Sequence, residues 1–192
     1  MSGKAHGLAG ERIALRPWRN SDRDAFAAMN ADAEVMRHFP STLTREQSDA
    51  MFERLRTAMG ERGWGLWCVD AGGECAGFCG LAVPRFVPPF RFEGAQCVEI
   101  GWRLRREFWG QGYASEAARL ALRYGFDVLK LAEIVSFTSR SNERSQAVMR
   151  RIGMTHDAQS DFMHPNIAAD DPLAAHVLYR IASADWMKQQ SA

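Results

Sequence analysis

The chain has 192 residues, 46% of them hydrophobic, enough to bury one sizeable core. Its 24 basic residues nearly balance 23 acidic ones, so no net field draws it onto nucleic acid or an anionic membrane, and the expected partner is a small molecule or a single peptide. The start, MSGKAHGLAGER, lacks a signal-length apolar run, and no later stretch reaches the ~18 apolar residues of a membrane span; the sequence reads as soluble and cytoplasmic.

ERIALRPW (11–18) alternates apolar and polar residues and predicts a first strand. Ser21 or Asp22 is placed to cap one helix through DRDAFAAMNADAEVMRHF. Thr44 with Gln47 three residues on has capping-box spacing and opens a second helix, ended by Gly60 and Gly63. WGLWCVD and CAGFCGLAV form a hairpin around Ala71-Gly72-Gly73. A tip at Ala71-Gly72 sets Cys68 opposite Cys75, as two free thiols in a reducing compartment. The four cysteines have no C-x-x-C spacing, so no metal is expected.

PRFVPPFRFEG (84–94) carries three prolines, which remove backbone donors and make it a stiff loop bearing Phe86, Phe90 and Phe92. It is read as a wall of a substrate site or as a contact in a homodimer. CVEIGWRL (97–104) is a strand; a glycine turn and a helix to about Leu129 follow, with Ala118, Ala121, Leu122 and Gly125 as a small-residue packing ridge. AEIVSFTS is a strand, Asn142 to Ile152 a helix stopped at Gly153, HVLYRIA a strand, and ASADWMKQQ a terminal helix. One α/β domain with a mixed sheet is expected over residues 11–187, with a flexible extension at 1–10 and a tail at 188–192.

The turn EFWGQGYASEAA (107–118) puts Gly110 and Gly112 immediately before a helix. Unpaired amides and the helix dipole make such a start an anion cradle, and missing Cβ atoms let a ligand approach the backbone. No Lys follows Gly112 as a nucleoside-triphosphatase loop needs, and the third glycine of a dinucleotide fingerprint is missing. The remaining readings are a pyrophosphate without a reacting phosphoryl group, or a tight turn packed for its own sake.

At these residues the chain resembles the Gcn5-related N-acetyltransferases, whose coenzyme A loop reads Q/R-x-x-G-x-G/A. Gly112 and Ala114 match the small positions, whereas Trp109 departs from Gln/Arg in the W-G-x-G-x-A form of the RimJ/RimL-like branch. Glu99 to Leu104, Asn142 to Ser145, and Gly153-Met154 extend the likeness, which runs from the first strand to about Trp186. The resemblance implies a mostly antiparallel twisted sheet with a splayed parallel strand pair. It implies acetyl-CoA as co-substrate, pantetheine pairing with Trp102, Arg103, Leu104 and Arg105, and pyrophosphate resting on Gln111, Gly112, Tyr113, Ala114 and Ser115. Asn142, an N-cap by position, gains a coenzyme contact from the same resemblance.

Acetyl transfer from a thioester to an amine needs a neutral amine and a proton for the departing thiolate. Glu99 is the candidate base, directly or through a water; alternation puts it on one face with Gly101 and Arg103, and pairing with Arg103 is its structural alternative. Ser145 is the candidate acid, with Tyr113 and Tyr124 behind it. His164 and His176 read as a loop and a packed strand residue. The acceptor is a primary amine, on a protein N-terminus or a small molecule. A non-catalytic acyl-CoA-binding or sensing protein is the alternative function.

Overall fold

The computed structural model describes residues 7–190, which form two compact units. The first takes the chain up to Leu81 and then Gly101–Ala121; the second takes Ala82–Ile100 and the chain from Leu122 onward. Residues 1–6 of the expected extension and 191–192 of the expected tail lie outside the described residues.

In the first unit, β1 (Leu8–Ala9) pairs antiparallel with β2 (Ala14–Arg16), Leu8 opposite Leu15. The end of the expected extension is therefore a sheet edge. Asn20–Asp22 makes a single 3-10 turn into α1 (Arg23–Ala31). The one helix expected here breaks at Asp32, whose carboxylate accepts the amides of Glu34 and Val35 and caps α2 (Ala33–Met36); an aspartate stabilises a helix start better than a helix interior. Helix α3 (Arg45–Arg62) has the predicted capping box, with the Gln47 amide donating to Thr44 Oγ1 at 3.3 Å and the Thr44 amide to Gln47 Oε1 at 2.9 Å. It runs through Gly60 and ends at Gly63, φ 77°. Trp18, Phe26 and Phe52 meet edge to face, with centroids 5.2 to 5.7 Å apart.

Strands β3 (Leu66–Ala71) and β4 (Glu74–Ala82) form the predicted hairpin, turned by Gly72 and Gly73 at positive φ. The tip is Gly72-Gly73 and not the expected Ala71-Gly72, which sets Cys75 opposite Asp70; a register shift between Val69 and Asp70 then sets Phe78 opposite Cys68, so the expected Cys68–Cys75 register does not occur. Both are buried free thiols. Strand β5 (Glu99–Leu104) lies beside β4, and its last four residues belong to this unit. The two strands approach closely at Gly77, φ 141°, where a Cβ would overlap the carbonyl oxygen of Arg103. After the glycine turn, α4 (Tyr113–Arg123) begins, with Ala117, Ala118 and Ala121 fully buried on one side.

In the second unit α4 runs on into a π-turn, Tyr124–Val128, rather than a plain α-helix to Leu129. Strand β6 (Glu133–Ser139) follows, then α5 (Glu143–Arg151), β7 (Thr155–His156), β8 (Phe162–Met163), β9 (Ala175–Ala182) and α6 (Ser183–Gln190). Helix α6 takes in residues 188–190 of the expected tail. The short strands β7 and β8 both pair antiparallel with β9, which pairs antiparallel with β6 from Glu133↔Ala182 to Ser139↔His176. The N-terminal end of β5 pairs parallel with β6, Glu99 opposite Val135. The sheet is thus mixed, as expected. No described helix is long and apolar enough to cross a membrane.

The approach at Gly77 predicts that Gly77→Ala loses about 3 kcal/mol, from overlap plus an unfavourable backbone conformation. Denaturant unfolding should show a lower midpoint with an unchanged slope.

Candidate active site

The glycine turn of the first unit has the backbone its sequence implies. Gly110 and Gly112 hold φ of 73° and 81°. A Cβ on Gly110 would meet nothing within 4 Å, and one on Gly112 would meet only the Arg12 guanidinium, at 3.2 Å. The amides of Ser115 and Glu116 already donate to the Gly112 carbonyl at 3.1 Å, so Ser115 leaves the expected set of open amides. Tyr113 and Ala114 open α4 and have no carbonyl of the helix to bond. Open backbone, positive φ and a helix start together fit a pyrophosphate.

Two side chains brace this turn in roles the sequence did not assign them. Arg12 donates to the Gln111 carbonyl at 2.8 Å, pairs with Glu116 at 2.9 Å, and lies over the Tyr113 ring. Trp109, the residue that departs from the family pattern, donates its indole N–H to the Leu104 carbonyl at 2.8 Å and ties the turn to the end of β5. Neither role was legible beforehand, because each side chain acts through a partner distant in sequence or through a backbone carbonyl.

A strand has two hydrogen-bonding edges, and the structure divides the four expected pantetheine partners between them. The Arg103 carbonyl lies against Gly77 and the Arg105 amide donates to Ala76 at 2.9 Å, so both residues face β4. The Leu104 carbonyl is taken by Trp109. Of the four, Trp102 is left with both backbone groups directed to the other edge. Side chains of the expected set are also engaged: Arg105 pairs with Glu107 and donates to the Cys75 carbonyl, and Gln111 donates to the Glu107 carbonyl.

In the second unit, the register puts Glu99 on the same side of the sheet as Val135, and alternation adds Cys97, Phe137, Leu178 and His176 to that side. This side carries the aromatic residues. Phe90 is buried with Cys97, Val135 and Leu178. Phe86 lies 5.5 Å from Phe137 and 4.7 Å from His164, whose ring is 4.9 Å from that of His176. Burial pushes both imidazoles below their ordinary pKa, so they are neutral at pH 7. The loop bearing Phe86 and Phe90 is held where Glu133 accepts the Glu93 amide and Arg180 donates to the Arg91 carbonyl. Of the three phenylalanines expected to contact substrate, Phe90 is a core residue, Phe86 is half-buried in the ring cluster, and Phe92 is exposed.

Glu99 is half-buried, and among the described residues its carboxylate has no hydrogen bond or ion pair. The alternative pairing with Arg103 is not made; Arg103 donates instead to Asn30 at 2.6 Å. Burial alone pushes Glu99 up to about 7. A carboxyl in that range exchanges a proton near neutral pH.

Asn142 caps α5, accepting the Ser145 amide at 3.2 Å and donating to Thr138 at 2.9 Å. The Ser145 hydroxyl is half-buried and unpartnered among the described residues. Burial raises the Tyr124 hydroxyl above its ordinary pKa, keeping it protonated at neutral pH. Asp22, Cys68 and Cys75 bring three ligand atoms within 4.8 Å of one another, a grouping invisible in their spacing. Both Asp22 oxygens, however, accept from the Arg16 guanidinium, at 2.7 and 2.9 Å, and that charge opposes a cation.

The family model for the acetyltransferase (GNAT) domain matches residues 12–155. The FsC-acetyl coenzyme A-N(2)-transacetylase of Aspergillus fumigatus is 33% identical over 183 residues, covering 93% of this chain and 77% of that protein. Spermidine N(1)-acetyltransferase of Escherichia coli is 26% identical over 155 residues, 79% of this chain and 76% of that one. The crystal structure of a GNAT-family acetyltransferase from Bacillus anthracis superposes with a TM-score of 0.76 at 25% identity, covering 93% of this chain and 99% of that one. The chain belongs to the GNAT family and is an acetyl-CoA-dependent N-acetyltransferase acting on an amine.

Proposed function

We propose that the protein acetylates a primary amine, on a small molecule or a protein N-terminus, by direct attack within a ternary complex, and that it stands in the RimJ/RimL-like branch on the strength of its W-G-x-G-x-A turn. One observation carries the mechanism: the half-buried, unpaired carboxyl of Glu99, poised at about 7 beside neutral rings.

When bound, acetyl-CoA supplies an activated acyl group. Gly112, Tyr113 and Ala114 offer backbone N–H groups to its pyrophosphate, with Gln111 at the margin, and Trp102 offers strand-like pairing to its arm. Glu99 takes the proton from the acceptor ammonium. A carboxylate at about 7 is a stronger base than one at its ordinary 4.5, which narrows the gap to an amine of pKa about 8 to 10. Phe86, Phe137, His164 and His176 surround that step with apolar and neutral groups, which disfavour the ammonium form of the acceptor. The proton that the attacking nitrogen loses as the amide forms passes to the departing thiolate through the Ser145 hydroxyl, which gives one proton and takes one back, with Tyr124 as a second protonated hydroxyl. Spermidine, the small amine in one relative's name, favours a small acceptor here. Mass spectrometry of an amine panel with acetyl-CoA, alongside release of coenzyme A thiol, identifies it.

Gly112→Ala places a methyl group in the cradle at positive φ; the folded variant should lose at least about tenfold in coenzyme A affinity by calorimetry. Equal affinity would move the pyrophosphate elsewhere.

For Glu99→Gln, kcat/KM should fall about 10²- to 10⁴-fold at pH 7, with partial recovery towards pH 9.5 as the amine loses its proton unaided. A constant ratio of mutant to wild-type rates across that range would remove Glu99 from proton transfer.

The same shift has a stability consequence. Between about 4.5 and 7 the folded state holds a proton that the unfolded state has lost, so Glu99 makes stability fall as pH rises through that window. Glu99→Gln should therefore melt higher than wild type at pH 8 and equally at pH 4.

A further inference from the structure

Arg103 is a buried guanidinium, 9% exposed, without an acid. Its Nη1 donates to Asn30 Oδ1 at 2.6 Å, and Asn30, fully buried, donates in turn to Ser48 at 2.9 Å. The Phe39 ring lies 4.0 Å from its central carbon and the Phe78 ring 5.3 Å. Among the described residues no carboxylate comes within ion-pair distance. The other buried arginine of this unit, Arg16, shows what such a charge normally demands: it donates to Asp22 and to Asp70, at 2.6 to 2.9 Å. Burying a charge without an opposite charge costs several kcal/mol, and burial accordingly pushes Arg103 down to about 10.

The remaining donors have a direction. Rings lie over the guanidinium and Asn30 occupies Nη1, which leaves the edge formed by Nε and Nη2. Nε is buried with no partner. Nη2 also lacks one but is not fully buried, and Phe39, the ring packed closest, is 39% exposed to solvent. The Nε–Nη2 edge is the fork that binds a carboxylate through two parallel hydrogen bonds.

We propose that this edge of Arg103, rimmed by Phe39, receives a carboxylate carried by the acceptor, so that the substrate class is an amine that also bears an acid group. The assignment rests on the acetyltransferase reading for its word acceptor. A single planar cation with one open edge matches a carboxylate; a phosphate dianion calls for more donors. A polyamine, all positive, is disfavoured beside an uncompensated guanidinium.

The decisive variant is Asn30→Asp, isosteric and 2.6 Å from Nη1, which supplies Arg103 with an internal carboxylate. It should raise the melting temperature and close the site to external acids. The first readout needs no turnover: benzoate should stabilise the acetyl-CoA-free wild type more than benzamide does, and Asn30→Asp should abolish that difference. The second compares kcat/KM for an amino acid and for its amide, using free and amidated tripeptides to separate a small acceptor from a peptide terminus. Between wild type and Asn30→Asp the acid-to-amide ratio should drop about 10- to 100-fold, and amine pKa differences cancel in that comparison. Arg103→Met should show the same loss of benzoate preference, and stands in if Asn30→Asp does not fold.

Equal stabilisation by benzoate and benzamide, or a preference that survives in either variant, overturns the proposal. So does loss of coenzyme A affinity in Asn30→Asp with benzoate competing against coenzyme A, which reassigns Arg103 to the cofactor's phosphates. A benzoate response sensitive to Asn30→Asp with no thiol released for any amine upholds the subsite and refutes the acceptor chemistry proposed above instead.

Discussion

The near-contact of Gly77 with the Arg103 carbonyl governs how β5 is used. A side chain at Gly77 would hold β4 and β5 apart; its absence lets β5 commit the backbones of Arg103 and Arg105 to β4. Everything proposed for β5 follows from that commitment. Trp102 keeps its polar groups for the opposite edge, Leu104 is held by the Trp109 indole, and the turn that follows is anchored before α4 begins. A strand that must pair on one side and offer backbone on the other needs one edge fixed firmly, and a glycine at positive φ is an economical means.

Two charged groups on this strand are desolvated without compensation, and they differ in what that does. Glu99 responds by holding its proton to about 7, which turns a surface-type acid into a base that works at neutral pH. Arg103, pushed only to about 10, stays charged and retains an unmet demand for an anion. Arg16, buried nearly as deeply, has its demand met by Asp22 and Asp70 and acts as a structural tie among β2, β3 and the start of α1. The contrast separates charges that hold the fold from charges held ready for a ligand.

Much of the local structure was legible because it is written in short-range chemistry. Thr44 with Gln47, Gly72-Gly73, Asn142 before α5, and Gly110 with Gly112 are all set by groups within a few residues of one another, and all are found where their spacing implies. The departures have longer-range causes. Asp32 splits one helix into two by capping the second. The hairpin tip falls one residue beyond the expected Ala71-Gly72, which takes Cys75 out of register with Cys68, and the bulge between Val69 and Asp70 adds a further offset that no count from a turn contains. Strands β7 and β8, two residues each, exist only because β9 offers them an edge.

The sequence by itself determined the Thr44 and Asn142 caps, the glycine turn, the alternation along β5 and hence the family, since these depend on residue type and spacing alone. The expected cap of α1 by Ser21 or Asp22 is not made, because the Asp22 carboxylate is taken by Arg16 and the Arg19 amide. Tertiary structure decided which of the named side chains are available for chemistry. Phe90 looked like a lining residue and is core; Ser115 looked like an open amide and is bonded; Arg103 looked like a partner for Glu99 and binds Asn30. Solvation is the physical reason. Whether a carboxylate, a guanidinium or an amide is free depends on what packs around it from distant parts of the chain, and no spacing rule records that.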